Sequence, residues 1–167
     1  QEEHEEEVIN VSIDKIEKFI GKRPRGWMGP GFAQTFDTAD YLKGAGIEYN
    51  LDWILDDLPC WMTTIHGPLI CMPYGFELND SLLFPVERHS SAEILLRFKD
   101  TLKTFEPELK EQPRILTLAV HPHQIGVPHR IGYLEQILDI LRQRDDTIFM
   151  SGDQIADWYT KQDPALE

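Results

Sequence analysis

Residues 115–120, Ile115-Leu116-Thr117-Leu118-Ala119-Val120, run directly into His121-Pro122-His123. A run this short and this apolar fits a parallel strand covered on both faces. On its N-terminal side, Ser90 is followed three residues later by Glu93, a capping-box pattern, and Leu95, Phe98, Leu102 and Phe105 form the apolar stripe of a helix behind it. On its C-terminal side, Ile131, Leu134, Leu138 and Leu141 recur at spacings of three, four and three, which predicts a helix from Arg130 to Arg142. A short strand, Thr147-Ile148-Phe149-Met150, comes next. A last helix is expected to begin near Asp153, a capping residue type, and to turn Ile155 and Trp158 inward.

The same alternation extends upstream. Ile9, Ile13, Ile16 and Ile20 share one helical face, Glu2, Glu3, Glu5, Glu6 and Glu7 suit the positive end of that helix's dipole, and Gly21 marks its end. Arg23 to Gly31, rich in Pro and Gly, reads as a short strand entering a loop. Thr35 is placed to cap a helix through Ala39 and Leu42 that stops at Gly44 or Gly46. Strands are expected at Ile47–Trp53 and Pro68–Tyr74. Helix and strand alternating without an internal repeat indicate an α/β fold, a parallel sheet or a barrel, in one domain over residues 1–167. Four or five strands do not close a barrel by themselves, so the sheet is expected to keep two open edges, a route to pairing with a second copy.

Composition narrows the function classes. The 167 residues carry 16 Lys plus Arg against 29 Asp plus Glu, a net charge of −13, with 41% hydrophobic residues. With a pI near 4.8, the chain has no broad positive field for nucleic acid or anionic lipid, so a substrate is expected to be small or neutral. No apolar run reaches the length of a membrane span and the first residues are acidic, so a cytoplasmic setting is expected. Cys60 and Cys71 lie among apolar neighbours and read as buried thiols.

Ligands in parallel α/β folds bind beyond the C-terminal ends of strands, and three stretches there carry chemistry. The first is Arg23-Pro24-Arg25-Gly26-Trp27, where Arg25 has the fork geometry to hold a carboxylate. The second runs from Asp52 to Trp61, with carboxylates at Asp52, Asp56 and Asp57 and indoles at Trp53 and Trp61. The third is His121-Pro122-His123: an imidazole at a strand end suits proton donation to a leaving amine, and the His-x-His spacing also fits a metal pair on one strand face. No Gly-x-Ser-x-Gly elbow and no Gly-rich phosphate loop is present.

These stretches, together with Pro73-Tyr74-Gly75-Phe76-Glu77-Leu78-Asn79-Asp80, His121 to Arg130 and Ser151 to Tyr159, resemble the polysaccharide deacetylase family with its NodB-type homology domain. The likeness runs from Gly21 to Tyr159 and points to the branch containing cofactor-independent allantoinases and peptidoglycan-deacetylase-like proteins. It implies the C-terminal portion of a distorted (β/α) barrel with the first strands missing. The family's Asp-Asp and zinc-binding His-pair motifs are expected upstream of Gln1; Thr35-Phe36-Asp37-Thr38 is only superficially like the first of them. It implies hydrolysis of a non-peptide carbon–nitrogen bond, in an N-acetyl amino sugar or a cyclic amide such as allantoin. By motif, His121 would be the general acid, Arg25 would orient the base, and Asp56 or Asp57 would position the acid or line the pocket. Trp27, Trp61, His123 and His129 would face substrate. No metal ligand is assigned in this chain; zinc or another divalent metal belongs, on this reading, to the full-length protein. The competing expectation is a non-catalytic fragment that binds another chain, since the base and metal motifs are not here.

Overall fold

The computed structural model describes residues 4–165, so Glu2 and Glu3 lie outside the described residues. Helices are α1 (Glu5–Ile20), α2 (Thr38–Gly44), α3 (Asp80–Leu83), α4 (Glu93–Glu108), α5 (Ile131–Arg142) and α6 (Gly152–Gln162). Strands are β1 (Gly26–Trp27), β2 (Tyr49–Asn50), β3 (Cys60–Thr64) and β4 (Gly67–Cys71). They form two compact units, one holding the chain up to Tyr74 and again from Met150, the other Gly75–Phe149.

The first unit contains one sheet in the order β1-β2-β4-β3. β1, β2 and β4 run parallel, with Gly26 opposite Tyr49 and Asn50 opposite Cys71. β3 pairs antiparallel with β4, Cys60 opposite Cys71 and Thr64 opposite Gly67. The turn needs a left-handed residue, which Gly67 supplies at φ 103°. Ile9, Ile13, Ala39, Leu42, Ile47 and Leu69 make the core here, with Trp27 and Met62 packed against it. α1 buries Ile9 and Ile13, while Ile16 and Ile20 at the far end of the stripe stay exposed. Gly21, left-handed at φ 74°, ends α1 as expected and returns its N–H to the Glu17 carbonyl.

The second unit builds its own core from Leu78, Leu83, Phe84, Ile94, Leu95, Phe98, Ile125, Ile137 and Leu141. α4 and α5 supply most of it through the stripes seen in the sequence.

Several expectations are corrected. Residues 115–120 form no strand; Ala119 alone enters an isolated parallel bridge, with Asn79, and Val120 is exposed. An apolar run becomes a strand only where a neighbouring strand pairs with it in a ladder, and an isolated bridge is not a ladder. Residues 147–150 likewise join no ladder, leaving Ile148 78% and Phe149 61% exposed. β3 (Cys60–Thr64) is a strand that no alternation pattern in the sequence marks. Thr35 does not cap α2: its hydroxyl and that of Thr38 both donate to the Glu5 carboxylate, and Asp37 is the capping residue instead. Glu93 turns to Arg97 at 3.1 Å rather than closing a box with Ser90, so Ala92 begins α4. The capping box that does form is Ser151 with Gln154 at α6, and Asp153 accepts instead from the Tyr49 hydroxyl at 3.1 Å.

Tyr49 explains a glycine in the first motif. A Cβ on Gly26 would lie 2.1 Å from the Tyr49 ring, and one on Gly152 would lie 2.5 Å from its hydroxyl oxygen. Two backbones close on one ring, and only glycine permits that approach. Gly26→Ala should therefore lower unfolding stability by about 1–3 kcal/mol, the usual range for forced overpacking. Urea denaturation tests this, and an unchanged midpoint with an unchanged slope would show that the ring moves aside at no cost.

Candidate functional site

The second unit brings together the strongest constellation. Leu78, buried, precedes Asn79, whose side chain accepts from the Ser81 N–H at 2.9 Å and so starts α3. The start of this short helix thus places Asp80 inward, with 0% of its surface exposed. The bridge of Asn79 to Ala119 then brings the segment before His121 alongside: Ala119 N–H donates to the Leu78 carbonyl and Asp80 N–H to the Ala119 carbonyl, both at 3.1 Å. Both Asp80 oxygens are used by one residue. Oδ2 accepts from the His121 backbone N–H at 2.7 Å, and Oδ1 lies 2.6 Å from His121 Nδ1. An ionised carboxylate only accepts, so Nδ1 carries the hydrogen and Nε2 is the ring nitrogen left for other chemistry. Ser81 Oγ stands 2.9 Å from the same Nδ1. The imidazole is 42% exposed against a fully buried partner, an arrangement that fixes the ring yet leaves it reachable.

A tight turn follows. Gln124 and Ile125 both return their N–H groups to the His121 carbonyl, Ile125 is buried in the core, and Gly126 sits where a Cβ would strike the Pro122 carbonyl at 2.4 Å. Arg130 braces this turn by donating to the Gln124 carbonyl at 3.1 Å while its guanidinium lies 4.0 Å over the Phe84 ring. His123 stacks edge-on to His121 with ring centroids 5.8 Å apart, and both His123 and His129 are exposed.

The remaining expected residues belong to the first unit. Arg25 donates to both oxygens of Glu48, at 2.9 and 2.6 Å, and to Asp157 at 2.6 Å. The hydrogen bonds to Glu48 and then Asp157 hold its guanidinium even more firmly charged than usual, and Arg25 in turn holds the Asp157 carboxyl below its ordinary range. Trp27 packs on the core, and Trp61 donates from its indole to the Asp163 carbonyl at 2.8 Å beside the Tyr159 ring. Asp56 and Asp57 are exposed in the loop before β3, with Asp57 N–H donating to the Asp56 carboxylate. Positioning of His121 therefore falls to Asp80, which the sequence reading left without a role although it closes the quoted stretch Pro73 to Asp80. The available signal was the Asn79-Asp80-Ser81 helix start directly behind an apolar residue.

Asp52, one position from Trp53, is 5% exposed, takes the Gly29 N–H on Oδ1 at 2.7 Å, and leaves Oδ2 without a hydrogen-bond partner among the described residues. Asn50 Nδ2, Trp53 Nε1 and Gln34 Oε1 share that condition. Burial pushes the Asp52 carboxyl up, against the opposing pull of the Gly29 bond.

Among the described residues no three His, Cys, Asp or Glu side chains converge, and both oxygens of the Asp80 carboxylate are already taken by His121. The His121-x-His123 pair does not lie on a strand. A cavity of about 640 Å³ in the second unit, between Leu102, Arg114, Leu116, Arg144, Ile148 and Phe149, includes none of the expected site residues.

No family model and no curated protein matches the chain. Solved structures do. The Puue allantoinase superposes with a TM-score of 0.90 at 23% identity, over 99% of this chain and 56% of its own. A probable polysaccharide deacetylase from Pseudomonas aeruginosa PAO1 gives 0.87 at 24% identity, over 96% of this chain and 54% of its own. The chain spans about half the length of these structures and shares their fold, a mixed α/β arrangement of the barrel type that the resemblance implied, present in part. No helix is long and apolar enough to cross a membrane among the described residues.

Asp52 yields a pH test. Its folded-state pKa is raised, so the folded state prefers the protonated form. That contribution to stability is full below the unfolded carboxylate range and is lost as pH rises through the folded value. Asp52→Asn keeps an acceptor for Gly29 and carries no charge. Its stability relative to wild type should rise from acid toward neutral pH in urea titrations; parallel curves would rule out a buried, charge-penalised Asp52.

Proposed function

We propose that this chain carries the acid half of a hydrolase acting on non-peptide carbon–nitrogen bonds. The observation that carries the reading is the buried Asp80 carboxylate locked onto Nδ1 and the backbone N–H of a reachable His121. Likeness of fold to an allantoinase and a polysaccharide deacetylase supports the reaction class.

In the proposed mechanism, amide hydrolysis stalls at the expulsion of an amine, a poor leaving group until it is protonated. His121, protonated on both nitrogens, gives its Nε2 proton to the departing nitrogen. Asp80 keeps the ring in one orientation, with Nδ1 turned to the carboxylate and Nε2 left to face the substrate. Arg25, held by Glu48 and Asp157, is the proposed positioner of the base, and Trp27, Trp61, His123 and His129 the proposed substrate contacts. Asp56 and Asp57, exposed in the loop before β3, are the proposed lining of the pocket. The substrate proposed is an N-acetyl amino sugar or a small cyclic amide of the allantoin kind, in a cytoplasmic setting.

The geometry dictates the variant. His121→Ala would strip a donor from a fully buried carboxylate and cost about 1–3 kcal/mol of stability, so lost activity could come from unfolding. His121→Asn places an amide N–H near the Nδ1 position and lacks Nε2. In the full-length protein it should fold with a nearly wild-type melting curve and lose on the order of 100-fold or more in kcat toward allantoin or an N-acetylglucosamine oligomer. Full turnover by this variant would overturn the acid assignment.

A second reading is favoured by one observation, the exposed apolar pair Ile148 and Phe149 in a segment without a ladder. On that reading the chain is a binding piece that associates with a second copy. Sedimentation of the isolated chain should then show concentration-dependent dimers that Ile148→Lys disperses, and a well-folded monomer at all concentrations counts against it.

A further inference from the structure

Cys60 and Cys71 stand opposite each other in the antiparallel register of β3 and β4. Directly opposed residues of such a pair project from the same face with Cα atoms about 4.5–5.5 Å apart, inside the range of about 4.4–6.8 Å that a disulfide requires. Both are free thiols, and they lie close enough for Cys60 to act on the charge of Cys71. They differ in access: Cys71 is 3% exposed, whereas Cys60 is half-buried. Cys71 also donates from Sγ to the Trp53 carbonyl at 3.2 Å, which ties the sheet to the loop carrying Asp52, Asp56 and Asp57.

We propose that Cys60 and Cys71 are a thiol–disulfide exchange site for low-molecular-weight disulfides, with Cys60 the entry thiol and Cys71 the resolving thiol. Cys60 as thiolate attacks one sulfur of the small disulfide, whose S–S bond breaks and releases one small thiol. Cys71 then loses its proton and attacks Cys60 Sγ, forming the cross-strand bond and releasing the second small thiol. Two protein thiols are oxidised and one small disulfide is reduced to two thiols. Burial and the neighbouring Cys60 push the Cys71 thiol up to about 12, which suits a group that reacts only once a mixed disulfide is beside it. After oxidation Cys71 has no hydrogen for the Trp53 carbonyl, so the loop from Leu51 to Pro59 loses that tether.

The native chain incubated with oxidised glutathione tests this, read by mass spectrometry of the intact protein and its digest. The expected product is an intrachain Cys60–Cys71 peptide, a mass lower by two hydrogens, full reversal by dithiothreitol, and faster amide exchange in the 51–59 loop. Cys71→Ser should stop at a stable glutathione adduct on Cys60, and Cys60→Ser should leave Cys71 unmodified. Two free thiols in oxidised wild type, a wild-type adduct that never resolves, or a bond only between chains would each overturn the proposal. Should a variant fail to fold, the wild-type peptide map decides by itself. Turnover plays no part in the readout, so the result is independent of the hydrolase assignment.

Discussion

A carboxylate with no exposed surface must have every lone pair answered from within, and Asp80 is the residue that imposes this on the second unit. Leaving a buried acceptor without its donor costs about 1–3 kcal/mol, a large part of a domain's net stability. His121 answers both oxygens, once from the backbone and once from the ring. The chain before His121 is thereby held along the start of α3, through the one bridge that Asn79 and Ala119 make. The chain after it must turn at once, so Pro122, Ile125 and Gly126 form the tight loop that Arg130 braces. The arrangement that stabilises the unit also fixes the tautomer of its one well-positioned imidazole.

The first unit depends on close approach of a different kind. Tyr49 on β2 lies against Gly26 of β1 and Gly152 of α6, and its hydroxyl ends on Asp153. That packing sets Arg25, the neighbour of Gly26, among Glu48, Asp153 and Asp157, where charge-assisted bonds satisfy its fork. Lys22 adds a second cation on Asp153, exposed and of small energetic weight. The cluster of Gln34, Asn50, Asp52 and Trp53 is of the opposite character, with buried polar atoms that have no hydrogen-bond partner among the described residues and a carboxyl pushed toward its neutral form. Unanswered groups of this kind are rare in folded chains and collect where function or a missing partner explains them.

Periodicity made the helices legible because a helix satisfies its own backbone. α1, α4 and α5 form where their apolar stripes stand, and Gly21 stops α1 because a left-handed residue was needed there. Strands were less legible because their hydrogen bonds come from elsewhere. Residues 115–120 and 147–150 have strand composition and no strand ladder, while Cys60–Thr64, which no pattern in the sequence marks as a strand, is the longest partner β4 has. Caps failed where another side chain outbid the local one, a distant one at Thr35, where Glu5 accepts, and the i+4 neighbour Arg97 at Glu93.

By itself the sequence determined the α/β class, the acidic charge, the positions of α1, α4 and α5, and His121 as an imidazole at the end of an apolar run, since these rest on residue type and local spacing. The tertiary structure alone decided which carboxylate holds that imidazole. Asp80 and His121 are 41 residues apart, and no local pattern encodes a contact at that separation; only folding the chain back through one bridge and one helix start makes them neighbours. The same holds for Cys60 facing Cys71, because strand register follows from which residues the two edges bring opposite each other, and that is settled when the hairpin closes.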